Sequence, residues 1–290
     1  MKNGMAPLAI MTVDVEDWFH VENLRSAIGR DTWGRRELRV ERNVERLLEL
    51  MAEAGDVRGT FFVLGWVAER CPGLVRRIAA AGHEIASHGY DHELLTSLTD
   101  DALKADVNRS KRVLEDLVGA PVLGYRAPSF SIDDRAIPVL QEAGYVYDSS
   151  YVAAAAHDRY GRLSGVVRGK TVTELASGFY EIAVSCLMVG GLGVPWGGGG
   201  YFRALPYAVF RRGLDRIRAT GTPYVFYIHP WELDAGQPRV DGVSRIHGFR
   251  HYVGLERCES RFARLLHDVS WSPIADLLAS SVTSPAARAA

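Results

Sequence analysis

At 290 residues and a formal net charge of −1, the chain is long enough for one large α/β domain, and its Lys and Arg, balanced by Asp and Glu, leave no electrostatic footprint for a nucleic acid. Apolar residues make up 47% and charged residues 24%, which excludes a disordered or fibrous chain, and no apolar run is long enough to span a bilayer. The three cysteines, Cys71, Cys186 and Cys258, are widely separated and odd in number, so neither a disulfide framework nor a metal knuckle is implied.

The segment Met1 to Met11 leaves no room for the apolar stretch and cleavage site of a signal peptide, and the expectation is a cytoplasmic chain. Residues 8–15 read as a strand that runs into Thr12-Val-Asp14-Val-Glu16-Asp17, a cluster of carboxylates at its end. Over residues 43–54, Val44, Leu47, Leu48 and Met51 share one helical stripe, which Gly55 closes. Strands at 59–64 and 84–87 follow, and the second leads into His88-Gly-Tyr-Asp-His92. A helical turn there would put both imidazoles on one face, roughly 6 Å apart along the axis, so that one cation is gripped by both. Two imidazoles and a carboxylate with an open position make a metal centre that activates water.

Thr99 caps a helix that begins Asp100-Asp101 and that Gly119 stops. Strands follow at 122–125 and 145–147, a hairpin at 172–175 and 179–184, a helix over 206–220 and a strand at 224–229. Such alternation argues for βα units around a parallel sheet or barrel. In such barrels the site gathers at the C-terminal ends of the strands, so Asp14, His88, Arg126, Asp148 and His229 can converge from distant positions.

The stretch Gly82-His-Glu-Ile-Ala-Ser-His88-Gly-Tyr-Asp-His92 resembles the second motif of the polysaccharide deacetylases with a NodB homology domain, carbohydrate esterases that remove N-acetyl groups from amino sugars. In the family's order, Thr12 to Asp17 resembles the first motif, Arg126-Ala-Pro128 the third, Tyr147-Asp148-Ser149 the fourth and Tyr227-Ile-His229 the fifth. The wording Asp-Val-Glu-Asp-Trp-Phe at residues 14–19, with the Phe249-Arg-His-Tyr-Val-Gly-Leu-Glu stretch, is similar to a bacterial subgroup associated with exopolysaccharide gene clusters and exosortase systems. The resemblance implies a distorted (β/α)7 barrel over residues 1–279, with a subgroup region from about 240 to 279 and a frayed tail at 280–290. It further implies a divalent transition metal, Zn2+ by default with Co2+ or Ni2+ suiting similar ligands, and an N-acetylhexosamine unit of a polysaccharide, oligosaccharide or precursor as substrate. The rival readings are a cyclic amide or imide hydrolase on the same barrel and a non-catalytic carbohydrate-binding protein.

On that resemblance His88 and His92 are metal ligands and Asp14 is the base. The family's first motif has two adjacent aspartates, whereas Val15 follows Asp14 here; alternate strand residues share a face, which makes Glu16 the carboxylate ligand. Asp17 is the substitute ligand if the strand ends early, and otherwise a turn or cap residue before Trp18. Arg126 pairs with Asp14, the backbone N–H of Ser129 is the oxyanion donor, and Phe130 builds the apolar side of the groove. His229 is the general acid, held by Asp148. Trp196, Gly197 to Gly200 and Tyr201 form a mobile loop whose aromatics stack on sugar, or a flexible turn beside a buried aromatic cluster, and Trp231 is a further stacking residue.

Overall fold

The computed structural model describes residues 8–153 and 160–282. The strands are β1 (Ala9–Val15), β2 (Thr60–Val63), β3 (Glu84–Ser87), β4 (Gly124–Tyr125), β5 (Tyr147–Asp148), β6 (Val172–Ala176), β7 (Phe179–Ile182), β8 (Cys186–Val189), β9 (Leu192–Pro195), β10 (Tyr224–Ile228) and β11 (Trp271–Ser272). The helices are α1 (Val40–Glu53), α2 (Gly65–Arg70), α3 (Pro72–Ala80), α4 (Asp100–Val118), α5 (Ala136–Glu142), α6 (Gly199–Ala204), α7 (Tyr207–Arg218), α8 (Arg245–Tyr252), α9 (Cys258–Asp268) and α10 (Ile274–Val282).

β1 runs between β10 and β2, buried along its whole length. That is why it reads as a nearly continuous apolar run, broken only by Thr12 and Asp14. Parallel pairing continues in the order β10-β1-β2-β3-β4-β5-β7, and β6 adds an antiparallel edge through the expected hairpin. Beyond β7 the chain returns to β10. Ser185 N–H donates to the Val225 carbonyl at 3.4 Å, and Tyr227 N–H donates to the Gly197 carbonyl at 2.7 Å. These contacts bridge the last gap in a distorted barrel of seven parallel strands, the architecture expected from the sequence.

The bridge explains the glycine run. A Cβ on Gly198 would sit 1.9 Å from the Tyr227 carbonyl oxygen, and one on Gly197 would sit 2.5 Å from Val184 Cγ1. The run is therefore packed backbone against β10, beside a buried aromatic cluster as the second expectation had it, and not the mobile loop of the first. Trp196 is corrected with it: the indole is buried, stacks on Phe210 at 5.9 Å and donates its N–H to the Phe210 carbonyl at 2.9 Å. It belongs to the core and offers no face to a sugar.

α4 has the ends read from the sequence, with Thr99 accepting from Ala102 N–H and Gly119 left-handed at φ 67°. Residues 280–282 finish α10, and the remainder of the expected tail lies outside the described residues. Among the described residues no helix is long and apolar enough to cross a membrane.

Candidate functional site

The C-terminal strand ends deliver the carboxylates and histidines to one cleft of about 420 Å³. Glu16 stands just past β1, in a turn that Asp17 and His20 fix: Asp17 N–H donates to His20 Nδ1 at 2.8 Å, and the imidazole is wedged against Phe19, Trp33 and Trp66. Asp17 itself looks the other way. Its carboxylate accepts from Trp18 N–H at 2.8 Å and from the Arg39 and Val40 N–H groups at 2.6 and 3.0 Å, which caps α1. The substitute-ligand role is thus corrected, because the chain has turned by residue 17 and the free N–H groups of a helix start claim the carboxylate.

His88 and His92 come together, but not by a helical turn. The segment after β3 is an irregular loop with Gly89 at φ 71° and His92 at φ 53°, and it leaves the two ring centroids 5.4 Å apart. The His88 Nδ1 lies 2.9 Å from the Arg126 carbonyl oxygen, which can only accept. Nδ1 therefore carries the hydrogen, and Nε2 keeps a lone pair for the cleft. Glu16, His88 and His92 offer ligand atoms that all lie within 4.8 Å of one another. Glu16 Oε2 is buried, faces His92 Nε2 at 3.3 Å and has no hydrogen-bond partner. A buried carboxylate oxygen left orphaned beside two imidazoles is the donor set a divalent cation completes.

Protonation favours the same use. Burial pushes His88 down to about 4, and although burial works to raise Glu16, His92 and His229 hold its carboxyl well below the ordinary value. On His92 burial works downward, but Glu16 raises the pKa by drawing a proton onto the ring, and a cation displaces that proton.

Arg126 is fully buried and spends its donors on the site's frame. It donates from Nη1 to Asp14 Oδ1 at 2.7 Å and to Thr12 Oγ1 at 2.8 Å, from Nε to the Ser149 carbonyl at 2.8 Å, and from Nη2 to Ser149 Oγ at 2.8 Å. Its guanidinium also lies over the Phe62 ring at 4.1 Å. One oxygen of Asp14 is thereby pinned, while Oδ2 lies 3.9 Å from His229 Nε2 on the cleft side.

His229 follows β10, with Nε2 at 3.1 Å from Glu16 Oε1 and Nδ1 at 3.0 Å from Glu232 Oε2. The partner of its outer nitrogen is therefore Glu232 and not Asp148. Burial would lower the His229 pKa, but Glu16 and Glu232, one on each ring nitrogen, raise it to about 10. Glu232 is nearly inaccessible; burial works upward, and Arg203 holds it down to about 2. Arg203 Nε donates to Glu232 Oε1 at 2.6 Å, and its other nitrogens donate to the Arg250, His251 and Val253 carbonyls at 3.0, 2.8 and 2.6 Å. A sequence signal for Glu232 existed. In His-Pro-Trp-Glu the proline opens a short helical turn, and the acid at its third position reaches back to the His229 N–H at 3.0 Å, a capping box.

Asp148 sits across the barrel on β5, where it accepts from Ser150 Oγ at 2.7 Å and pairs with the equally buried Glu181 of β7. Ser150 Oγ in turn accepts from Ala127 N–H at 2.7 Å, so the pair shapes the turn that carries Arg126. Burial and the neighbouring Asp148 push the Glu181 carboxyl well above its ordinary value of 4.5, the direction that favours its protonated form. A group with a raised folded pKa contributes stability that is complete below its unfolded value and is lost as pH rises toward the folded one. Thermal melts from about pH 5 to about pH 9 should show wild-type stability falling more steeply than that of Glu181→Gln, which mimics the protonated acid at every pH. Equal slopes would show that the pair does not hold a proton.

Ser129, Phe130, Tyr201 and Trp231 line the cleft. Ser129 and Phe130 are consecutive non-glycine residues at φ 52° and 59°, a strained turn beside reacting groups. Phe130 and Ser131 N–H groups close that turn on the Ala127 and Pro128 carbonyls, and the Ser129 N–H takes no part in these bonds. Trp231 is corrected as a stacking residue. It is 3% exposed, and the imidazoles of His229 and His251 stack on it at 5.1 and 4.5 Å, so it serves as a shelf for His229.

Residues 31–147, which contain His88, His92 and Arg126, match the family model described as polysaccharide deacetylase. The chain carries a polysaccharide deacetylase domain. Residues 149–279 match a domain of unknown function, DUF3473, and the barrel sheet draws strands from both matched segments. A peptidoglycan-N-acetylglucosamine deacetylase of Bacillus cereus is 35% identical over 86 residues, 30% of this chain and 40% of that protein. The matched part thus spans less than half the length of that relative. Among solved structures, a polysaccharide deacetylase of Mycobacterium smegmatis aligns with TM-score 0.57 at 22% identity, over 94% of this chain and 95% of that one. The Puue allantoinase aligns with TM-score 0.56 at 18% identity, over 95% and 90%. These likenesses concern the fold, which deacetylase and allantoinase share.

Proposed function

We propose that the chain is a metal-dependent N-deacetylase acting on N-acetylhexosamine units of a bacterial exopolysaccharide, oligosaccharide or biosynthetic precursor. The observation that carries the reading is the buried cluster of Glu16, His88 and His92, whose ligand atoms lie within 4.8 Å of one another, with Asp14 and His229 on the same cleft. Glu16, His88 and His92 would hold the cation, Zn2+ by default, and the family's use of divalent metals supports this. When bound, the cation supplies Lewis acidity, lowering the pKa of water and polarising the acetamide carbonyl.

The chain's own groups do the rest. Asp14, fixed by Arg126, takes the proton of the attacking water at Oδ2. The Ser129 N–H, in its strained turn at the cleft, would donate to the oxyanion. His229, half-buried and open to the cleft, gives its Nε2 proton to the departing nitrogen, while Glu232 on Nδ1 fixes the ring.

Acetate release from a panel of N-acetylated sugars, set against ring opening of hydantoin-like amides, tests the reading and its cyclic-amide rival together. His229→Ala should slow N-deacetylation by about 10²–10⁴ but slow an activated acetate ester far less, because that leaving group needs no proton. Equal slowing of both with metal retained would make His229 a positioning or oxyanion group. Loss of metal would make it a ligand.

A further inference from the structure

Resting on the deacetylase reading, we propose that α8 and the adjoining α6 form a carbohydrate-binding wall. On it Phe249 and Tyr201 cover the apolar face of a sugar ring next to the one whose acetamide is cleaved. Both residues lie within 149–279, the segment whose family model is a domain of unknown function.

Phe249 is 66% exposed and Tyr201 40% exposed, and both line the cleft that holds Asp14, Glu16 and His229. Phe249 is not loose at a frayed helix end. The other side of α8 is anchored: His251 bonds Gln237 at 2.7 Å and stacks on Trp231, and Tyr252 accepts the Val240 N–H at 3.0 Å. Phe249, Arg250 and Val253, at helical spacing, are left to face the cleft.

The wall is also tied to the reacting centre. The carbonyls of Arg250, His251 and Val253 all take hydrogen bonds from Arg203, whose Nε holds Glu232, which holds His229. Phe249 therefore keeps a set distance from the proton donor, as a residue that registers a polymer must. The cleft of about 420 Å³ has far more room than an acetamide needs. Its mixture of exposed rings with Glu22 and Asn23 suits a pyranose, which has an apolar C–H face and a rim of hydroxyls.

The test uses the full chain loaded with Zn2+ and N-acetylglucosamine oligomers of increasing length. Phe249→Ala and Tyr201→Ala remove largely exposed side chains, so the fold should persist. Each should raise KM for the longer oligomers by about three- to tenfold, more than it lowers kcat, and Phe249→Tyr should restore the wild-type value. An unchanged KM in both alanine variants overturns the wall while leaving the deacetylase reading intact. If the wild type releases acetate from none of the oligomers, the deacetylase reading fails for this sugar, and calorimetric titration of the same oligomers decides the wall: weaker binding in Phe249→Ala supports it, and unchanged or absent binding overturns it.

Discussion

Asp14→Asn should lower turnover by about 10²–10⁴ while leaving metal content and substrate binding close to wild type. The expectation follows from the division of labour between its two oxygens. Oδ1 is bound to Arg126 at 2.7 Å, and an amide oxygen can keep that bond, so the framework survives the substitution. Oδ2 lies on the cleft side, and an amide nitrogen in its place cannot accept a proton from water. Arg126→Ala should be worse for the protein as a whole, because it leaves the buried Asp14 carboxylate without its partner and frees Thr12 and Ser149 together. Single-turnover kinetics with metal analysis would separate the two effects. A fully active Asp14→Asn would remove Asp14 from the base role, and Glu16 would then be the nearest carboxylate to examine.

The joint substitution His88→Ala and His92→Ala should abolish tight binding of a divalent cation and reduce acetate release by about 10³-fold or more. Wild-type protein should carry about one ion per chain, lose activity to a strong chelator and regain it on adding Zn2+ back. A second readout needs no substrate. A ligand that binds only the folded state at about a hundred times its Kd adds roughly 2.7 kcal/mol of stability, so Zn2+ should raise the wild-type Tm and leave the double variant unmoved. A full metal complement in the variant would place the centre elsewhere. Glu16→Gln should weaken binding more than Asp17→Asn, since only Glu16 belongs to the cluster and Asp17 is committed to α1.

What could be read from the sequence was whatever local chemistry decides. β1 announced itself because a strand buried on both faces must be apolar, and α4 announced both ends because Thr99 and Gly119 satisfy groups every helix leaves open. Glu16 was reached through the period of two along a strand, although it stands one residue past β1, in a turn. The choice against Asp17 was not, since it depends on where the chain bends and on N–H groups of a helix more than twenty residues on. The irregular loop between His88 and His92 shows the same limit: a four-residue spacing suits a helix, but left-handed Gly89 and His92 bring the rings together by another route. Glu232 was visible in its capping pattern and was passed over for Asp148, whose partner Glu181 comes from a different strand and leaves no local trace. Trp196 and Trp231 misled because an aromatic side chain looks the same in sequence whether it faces solvent, a sugar or the core.

The Arg203 guanidinium sets a limit on how this protein can be taken apart or recombined. It is nearly inaccessible, and it reaches α8 through three carbonyls and the acid side of the site through Glu232. A fragment that ended before α8 would keep the Glu232 partner but take three carbonyl acceptors from the guanidinium, at about 1–3 kcal/mol for each donor left buried and unsatisfied. A chimera that borrowed α8 from another chain would have to deliver its helix-end carbonyls at the same places or import the matching arginine with them. The unit that can be exchanged is thus the arginine, the acid and the helix together, all three of which lie within residues 149–279.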